Sequence, residues 1–134
     1  MHNIVSHVNT LEDIPNAVKQ KISEGELDED KGNKIITYLT EVLSRPELAK
    51  WYLGKYQVLN ETQLLHPILG FSRPDRVMIG QDEVIVVDYK FGEMEESKYI
   101  RQVQRYVNSI REMGYKSVSG YIVYMKTGKI IKME

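Results

Sequence analysis

The chain has 134 residues, 42% of them hydrophobic and 28% charged, so it is long enough to fold as one domain around a buried core and too apolar for a disordered chain. It contains no cysteine, which excludes a disulfide framework, a zinc–thiolate site and a thiol nucleophile and suits the cytoplasm. No apolar run reaches the length of a membrane span and the opening residues read as no signal or transit peptide, while a formal net charge of -1 leaves any phosphate contact to a local basic stripe or a bound cation.

Residues Met1 to Val8 place Ile4, Val5 and Val8 at near-helical spacing. They read as the end of a helix whose earlier turns would precede residue 1, the pattern of a domain belonging to a longer protein. His2 falls on this segment as either a metal ligand or a solvated terminal histidine. Thr10 followed by Glu12 and Asp13 predicts a helix start that runs through Ile14, Ala17, Val18 and Ile22 to Gly25, with Pro15 tolerated in its opening turns. The acidic stretch from Glu24 to Asp30 reads as a solvated loop leading to a helix start, rather than a metal site. Ile35, Ile36, Leu39, Val42 and Leu43 form the apolar stripe of a helix over 34–44. Pro46 opens a short helix reaching Trp51, whose expected role is packing. Residues 55–66 read as a strand in which Glu61 is a polar residue on an open edge face or else a further acid near a metal, and His66 before Pro67 belongs to a loop.

Two strands and a hairpin turn follow. One arm carries Arg73, Pro74, Asp75, Arg76 and Val77, and the turn is Gly80-Gln81-Asp82. The second arm runs from Val84 through Val87 to Asp88, Tyr89, Lys90, Phe91 and Gly92. An unbroken apolar run predicts a strand covered on both faces, yet this one ends on an acid, a tyrosine and a lysine, which are costly to bury without partners. Alternation puts Asp88 and Lys90 on one face and Tyr89 on the other. Asp75 joins them if its strand begins near the same end. Two carboxylates beside a lysine form a site for a hard divalent cation with a water-orienting ammonium, or else a strand-end salt bridge.

The clearest helix spans 95–113, where Tyr99, Val103, Tyr106, Val107, Ile110 and Met113 recur at three- and four-residue steps and Gly114 follows. Gln102 and Tyr106 share one side of it, and Lys98, Arg101 and Arg105 form a basic stripe bordering Gln102. A last hairpin is expected from Ser117–Met125, the Lys126–Lys129 turn and Ile130–Met133. Helices, strands, a helix and strands in that order predict an α/β fold, a mixed β-sheet flanked by α-helices. No P-loop, Gly-rich dinucleotide fingerprint or nucleophile elbow occurs.

Arg73-Pro74-Asp75-Arg76-Val77, Asp88-Tyr89-Lys90-Phe91-Gly92 and the Gln102/Tyr106 pair, taken in order, resemble the RecB-like nucleases of the PD-(D/E)XK superfamily. The nearest likeness is to the C-terminal nuclease domain of bacterial helicase-nucleases. Trp51, the Val58–Glu61 stretch and Met1-His2-Asn3-Ile4 extend the similarity over nearly the whole chain. It implies a restriction-endonuclease-like fold, one nuclease domain over 1–134 from a larger helicase-nuclease, and metal-dependent hydrolysis of DNA phosphodiesters in end processing, recombination or repair, as an exonuclease rather than an endonuclease. In that scheme Asp75, Asp88 and Lys90 are catalytic. Mg²⁺ or Mn²⁺ is held by Asp75, Asp88, the Tyr89 main-chain carbonyl and His2. Gln102, Tyr106, Lys98, Arg101 and Arg105 contact the DNA, and a helicase motor is the implied partner. The competing expectation is a nucleic-acid-binding or protein-docking module that keeps the fold without cutting.

Overall fold

The computed structural model describes residues 4–5, 8–59, 74–92, 94 and 97–134. Ile4 and Val5 are helical and buried, and Val8 is buried as well. His2 lies outside the described residues, as do Asn60, Glu61, His66 and Arg73. Chain contacts divide the protein into two compact units, Met1–Tyr56 and Gln57–Glu134.

In the first unit, Asp13 fastens the helix entry: its Oδ2 accepts the backbone N–H groups of Asn9 and Thr10, each at 3.0 Å. A single 3-10 turn, Leu11–Asp13, leads into α1 (Ile14–Ser23). Helix α2 (Glu29–Leu43) begins five residues before the expected Lys34. The acidic stretch is therefore partly helix start and not only loop. Asp28 is the cap, accepting the Lys31 N–H at 2.8 Å, and Glu29 and Asp30 occupy the first turn, where negative charge suits the helix dipole. Short α3 (Pro46–Ala49) runs into the 3-10 turn Lys50–Tyr52. Leu48, Trp51 and Tyr52 are buried there, in keeping with the packing role expected of the tryptophan.

The second unit is a five-stranded mixed sheet in the order β1-β2-β3-β4-β5: β1 (Gln57–Leu59), β2 (Arg76–Ile79), β3 (Val84–Lys90), β4 (Val118–Tyr124) and β5 (Ile130–Met133). Strands β1, β2 and β3 are successively antiparallel. Helix α4 (Ser97–Glu112) carries the chain across to β4, which pairs parallel with β3, and β5 returns antiparallel. Parallel neighbours need such a crossover because a tight turn can only reverse the chain.

Period-two alternation sorts the side chains. Val77, Val84, Val86, Val118, Ile122 and Tyr124 project to the α4 face and pack with Val103, Tyr106, Val107 and Ile110 of that helix. Helix and sheet meet most closely at Gly120. A Cβ there would lie 2.7 Å from Val103 Cγ1 and 2.8 Å from Val107 Cγ2, so only glycine permits this approach. The opposite face carries Arg76, Met78, Ile85, Val87 and Tyr89, all buried. Val84 to Val87 is thus covered on both sides, as its unbroken apolar run predicts. Among the described residues no helix is long and apolar enough to cross a membrane.

Candidate active site

The C-terminal end of β3 leaves apolar surroundings at Asp88, which with Arg76 on the far face makes up the buried charged residues among the described ones. Strand alternation continues the series Val84, Val86, Asp88, Lys90, so acid and lysine both face α4. Lys90 Nζ lies 2.8 Å from Asp88 Oδ2, with the lysine side chain 20% exposed and the aspartate 6%. A charge this deep is tolerable because a partner of opposite sign sits against it.

Register brings in Asp75. The last ladder pair is Arg76↔Val87, so one step further Asp75 stands opposite Asp88 and shares its face. The two are joined directly, since the Asp75 backbone N–H points at Asp88 Oδ1 at 3.4 Å. One more step sets Pro74 against Tyr89. An ordinary ladder would exchange two hydrogen bonds there, but Pro74 has no N–H to offer the Tyr89 carbonyl. The Tyr89 N–H for its part goes to a side chain, Asp75 Oδ2 accepting it at 2.8 Å. Each carboxylate is therefore tied to backbone near the other, and both are fixed by the strands that carry them. The Tyr89 ring projects away from the site and is buried on the far face.

Helix α4 supplies the remaining side. Gln102 Oε1 lies 3.4 Å from Lys90 Nζ. One helical turn earlier, the Tyr99 ring lies under the same ammonium, 4.4 Å from Nζ to the ring centroid. Tyr106 is buried in the helix–sheet cluster, whereas Lys98, Arg101 and Arg105 are exposed on the outer side of the helix. Arg101 Nη1 donates to Ser97 Oγ at 3.3 Å, and Lys98 Nζ stands 5.6 Å from the Tyr99 centroid. The structure thus gathers Asp75, Asp88, Lys90 and Gln102 at one point, sets Tyr106 in the core and leaves the basic stripe in solvent. Tyr99 belongs with the first group, although periodicity alone assigns it to the apolar stripe. Its position three residues before Gln102 was the available signal.

As to a metal, the donors are carboxylate oxygens with a main-chain carbonyl beside them, which in kind fit Mg²⁺ or Mn²⁺ better than a softer ion. Among the described residues no three His, Cys, Asp or Glu side chains form one cluster. Of the described side chains, Asp75 and Asp88 are the two that would furnish ligands to a cation here, the rest of its shell coming from other oxygen donors. Chemically, the arrangement can bring a divalent cation, a fixed ammonium and a side-chain amide beside one another. Comparison of the sequence with protein-family models and with curated proteins gives no match.

Proposed function

We propose that this chain is a metal-dependent DNA nuclease domain that hydrolyses phosphodiester bonds at DNA ends. The observation carrying the proposal is the convergence of Asp75, Asp88 and Lys90 on one sheet face with Gln102 against the lysine. These residues are far apart in kind from what a structural core needs, and they fall in the order that the resemblance to RecB-like nucleases implies. The restriction-endonuclease-like architecture is part of the same proposal. It is supported by an antiparallel β1-β2-β3 meander that crosses through a helix to a parallel β4.

In this reading Mg²⁺ or Mn²⁺ would supply water activation near neutral pH and charge neutralisation at the scissile phosphate. Asp75 and Asp88 would hold that ion, with the Tyr89 carbonyl and His2 as the further ligands that the resemblance implies. Lys90, fixed between the β3 end and α4, orients the attacking water and offers positive charge to the phosphate oxygens. Gln102 anchors the lysine from the helix side. Lys98, Arg101 and Arg105 contact the backbone of the DNA, which gives affinity without sequence preference. A helicase motor on the same or a partner chain, in the cytoplasm, would deliver the end.

The test is cleavage of end-labelled single- and double-stranded DNA with Mg²⁺ or Mn²⁺, beside an EDTA control and the Asp88→Ala and Lys90→Ala variants, each first shown to be folded. Metal-dependent cutting by the native chain, lost in both variants, is the expected result. Retained cutting in either variant removes these residues from the mechanism. A folded native chain that binds DNA but neither cuts nor takes up Mn²⁺ is a docking module.

A further inference from the structure

We infer that Tyr99 is a positioning residue whose ring face holds the Lys90 ammonium in place. This inference rests on the nuclease reading for its meaning but on geometry for its content. An ammonium has three N–H directions, and Lys90 meets a partner in three: Asp88 Oδ2 at 2.8 Å, Gln102 Oε1 at 3.4 Å and the Tyr99 ring at 4.4 Å. The three differ in what they cost the chemistry. Asp88 is needed as a cation ligand, so whatever charge it spends on Lys90 is unavailable to a metal, and the reverse. Gln102 and Tyr99 are neutral. They can fix the lysine without cancelling its charge and without competing for a divalent ion.

Lysine carries four flexible side-chain bonds, and an anchor on Asp88 alone would be lost whenever that carboxylate turned to a metal. Tyr99 and Gln102 lie three apart on α4, hence on one face, and that helix is locked to β4 by the contact at Gly120. The pair therefore approaches Lys90 from a rigid element. A ring face attracts a cation through its quadrupole and needs no hydroxyl to do so. Lys98, 5.6 Å from the same ring, is the competing cation, but it is exposed and longer in reach.

Two substitutions separate ring from hydroxyl. Tyr99→Phe keeps the face, and Tyr99→Leu keeps only bulk. With lysine-labelled protein, NMR should show the Lys90 Hε resonances, assigned by their absence from Lys90→Arg, shifted upfield by the ring current in the native chain and in Tyr99→Phe. The shift should vanish in Tyr99→Leu. Cleavage should stay within about twofold in Tyr99→Phe and fall about tenfold in Tyr99→Leu, the scale of a desolvated cation–ring contact. Absence of the upfield shift from the native protein overturns the inference whether or not the leucine variant folds. So does a phenylalanine variant as impaired as the leucine one, or a folded leucine variant that cuts at the native rate. If the native chain cuts no DNA, the nuclease reading fails, while the ring-current shift still decides whether Tyr99 holds Lys90.

Discussion

Asp75 has two separable duties, and substitution can take one without the other. Its Oδ2 receives the N–H of Tyr89 beyond Arg76↔Val87, the last paired position, so the carboxylate closes the β2–β3 ladder. A hydrogen bond to a charged acceptor contributes about 1.5–3 kcal/mol, and a buried N–H left without an acceptor costs about 1–3 kcal/mol. Asp75→Ala should therefore destabilise the protein by about 2 kcal/mol and lower the Tm by roughly 6–10 °C at this chain length. Asp75→Asn retains an acceptor oxygen of the same reach. It weakens the bond by losing charge, but it also removes a negative group facing Asp88, so the two effects offset and its Tm should fall close to native. Metal binding separates the variants differently. Mn²⁺ at about a hundred times its dissociation constant should raise native stability by about 2.7 kcal/mol, and neither variant should respond. Thermal unfolding with and without Mn²⁺, followed by circular dichroism, reads both duties in one series. An alanine variant as stable as the native chain would refute the ladder-closing role. An asparagine variant still stabilised by Mn²⁺ would refute the metal role.

The packing, the basic stripe and one half-buried phenol yield further predictions. Gly120→Ala forces a methyl group against Val103 and Val107, which should cost about 1–3 kcal/mol and, by lifting α4, draw Gln102 and Tyr99 off Lys90; a variant with native stability and cleavage would show that the helix has room. Replacing Lys98, Arg101 and Arg105 together by glutamine should flatten the log–log salt dependence of DNA binding by about two to three, measured by fluorescence anisotropy, and an unchanged slope would remove the stripe from the interface. Burial holds the Tyr38 phenol above its ordinary value of 10.0, against a smaller downward pull from Arg45. The folded state then keeps this proton to higher pH than the unfolded chain, so its stabilisation is complete below about pH 10 and is lost as pH rises through the folded value. Tyr38→Phe should flatten that alkaline decline, as followed by denaturant unfolding at several pH values, and an undiminished decline would contradict the assignment.

Much of the sheet was legible because β3 combines an unbroken valine–isoleucine run with an abrupt polar end, and no other element tolerates that pattern. The α4 stripe was equally plain, since six apolar positions keep helical step over about four turns. What local pattern could not supply was register. Whether Asp75 meets Asp88 depends on which β2 residue faces which β3 residue, a property of two strands together and not of either alone. The start of α2 lies five residues before the apolar stripe shows it, because acids suit a solvated loop and a helix's first turn alike: Asp28 serves as the cap and Glu29 and Asp30 complement the helix dipole. Tyr99 was hidden for the opposite reason: a tyrosine on an apolar stripe looks like core until the neighbouring strand delivers a cation to its face. Glu61 and His2 lie outside the described residues, so their assignments rest on the sequence.

The β2–β3 hairpin also behaves as a ruler. Gly80 N–H binds Glu83 O at 2.8 Å across the turn residues Gln81 and Asp82, and from that pair both strands count five residues to reach Asp75 and Asp88. At about 3.4 Å per step, the turn lies roughly 17 Å from the carboxylates it aligns. Strand side chains change face with every residue, so slipping one arm by a single position would carry its acid to the far side of the sheet while leaving the backbone pairing almost as good as before. Surface turns usually accept extra residues freely. This one transmits length to a distant pair of charges, so a single residue added there can abolish the site without touching any group in it.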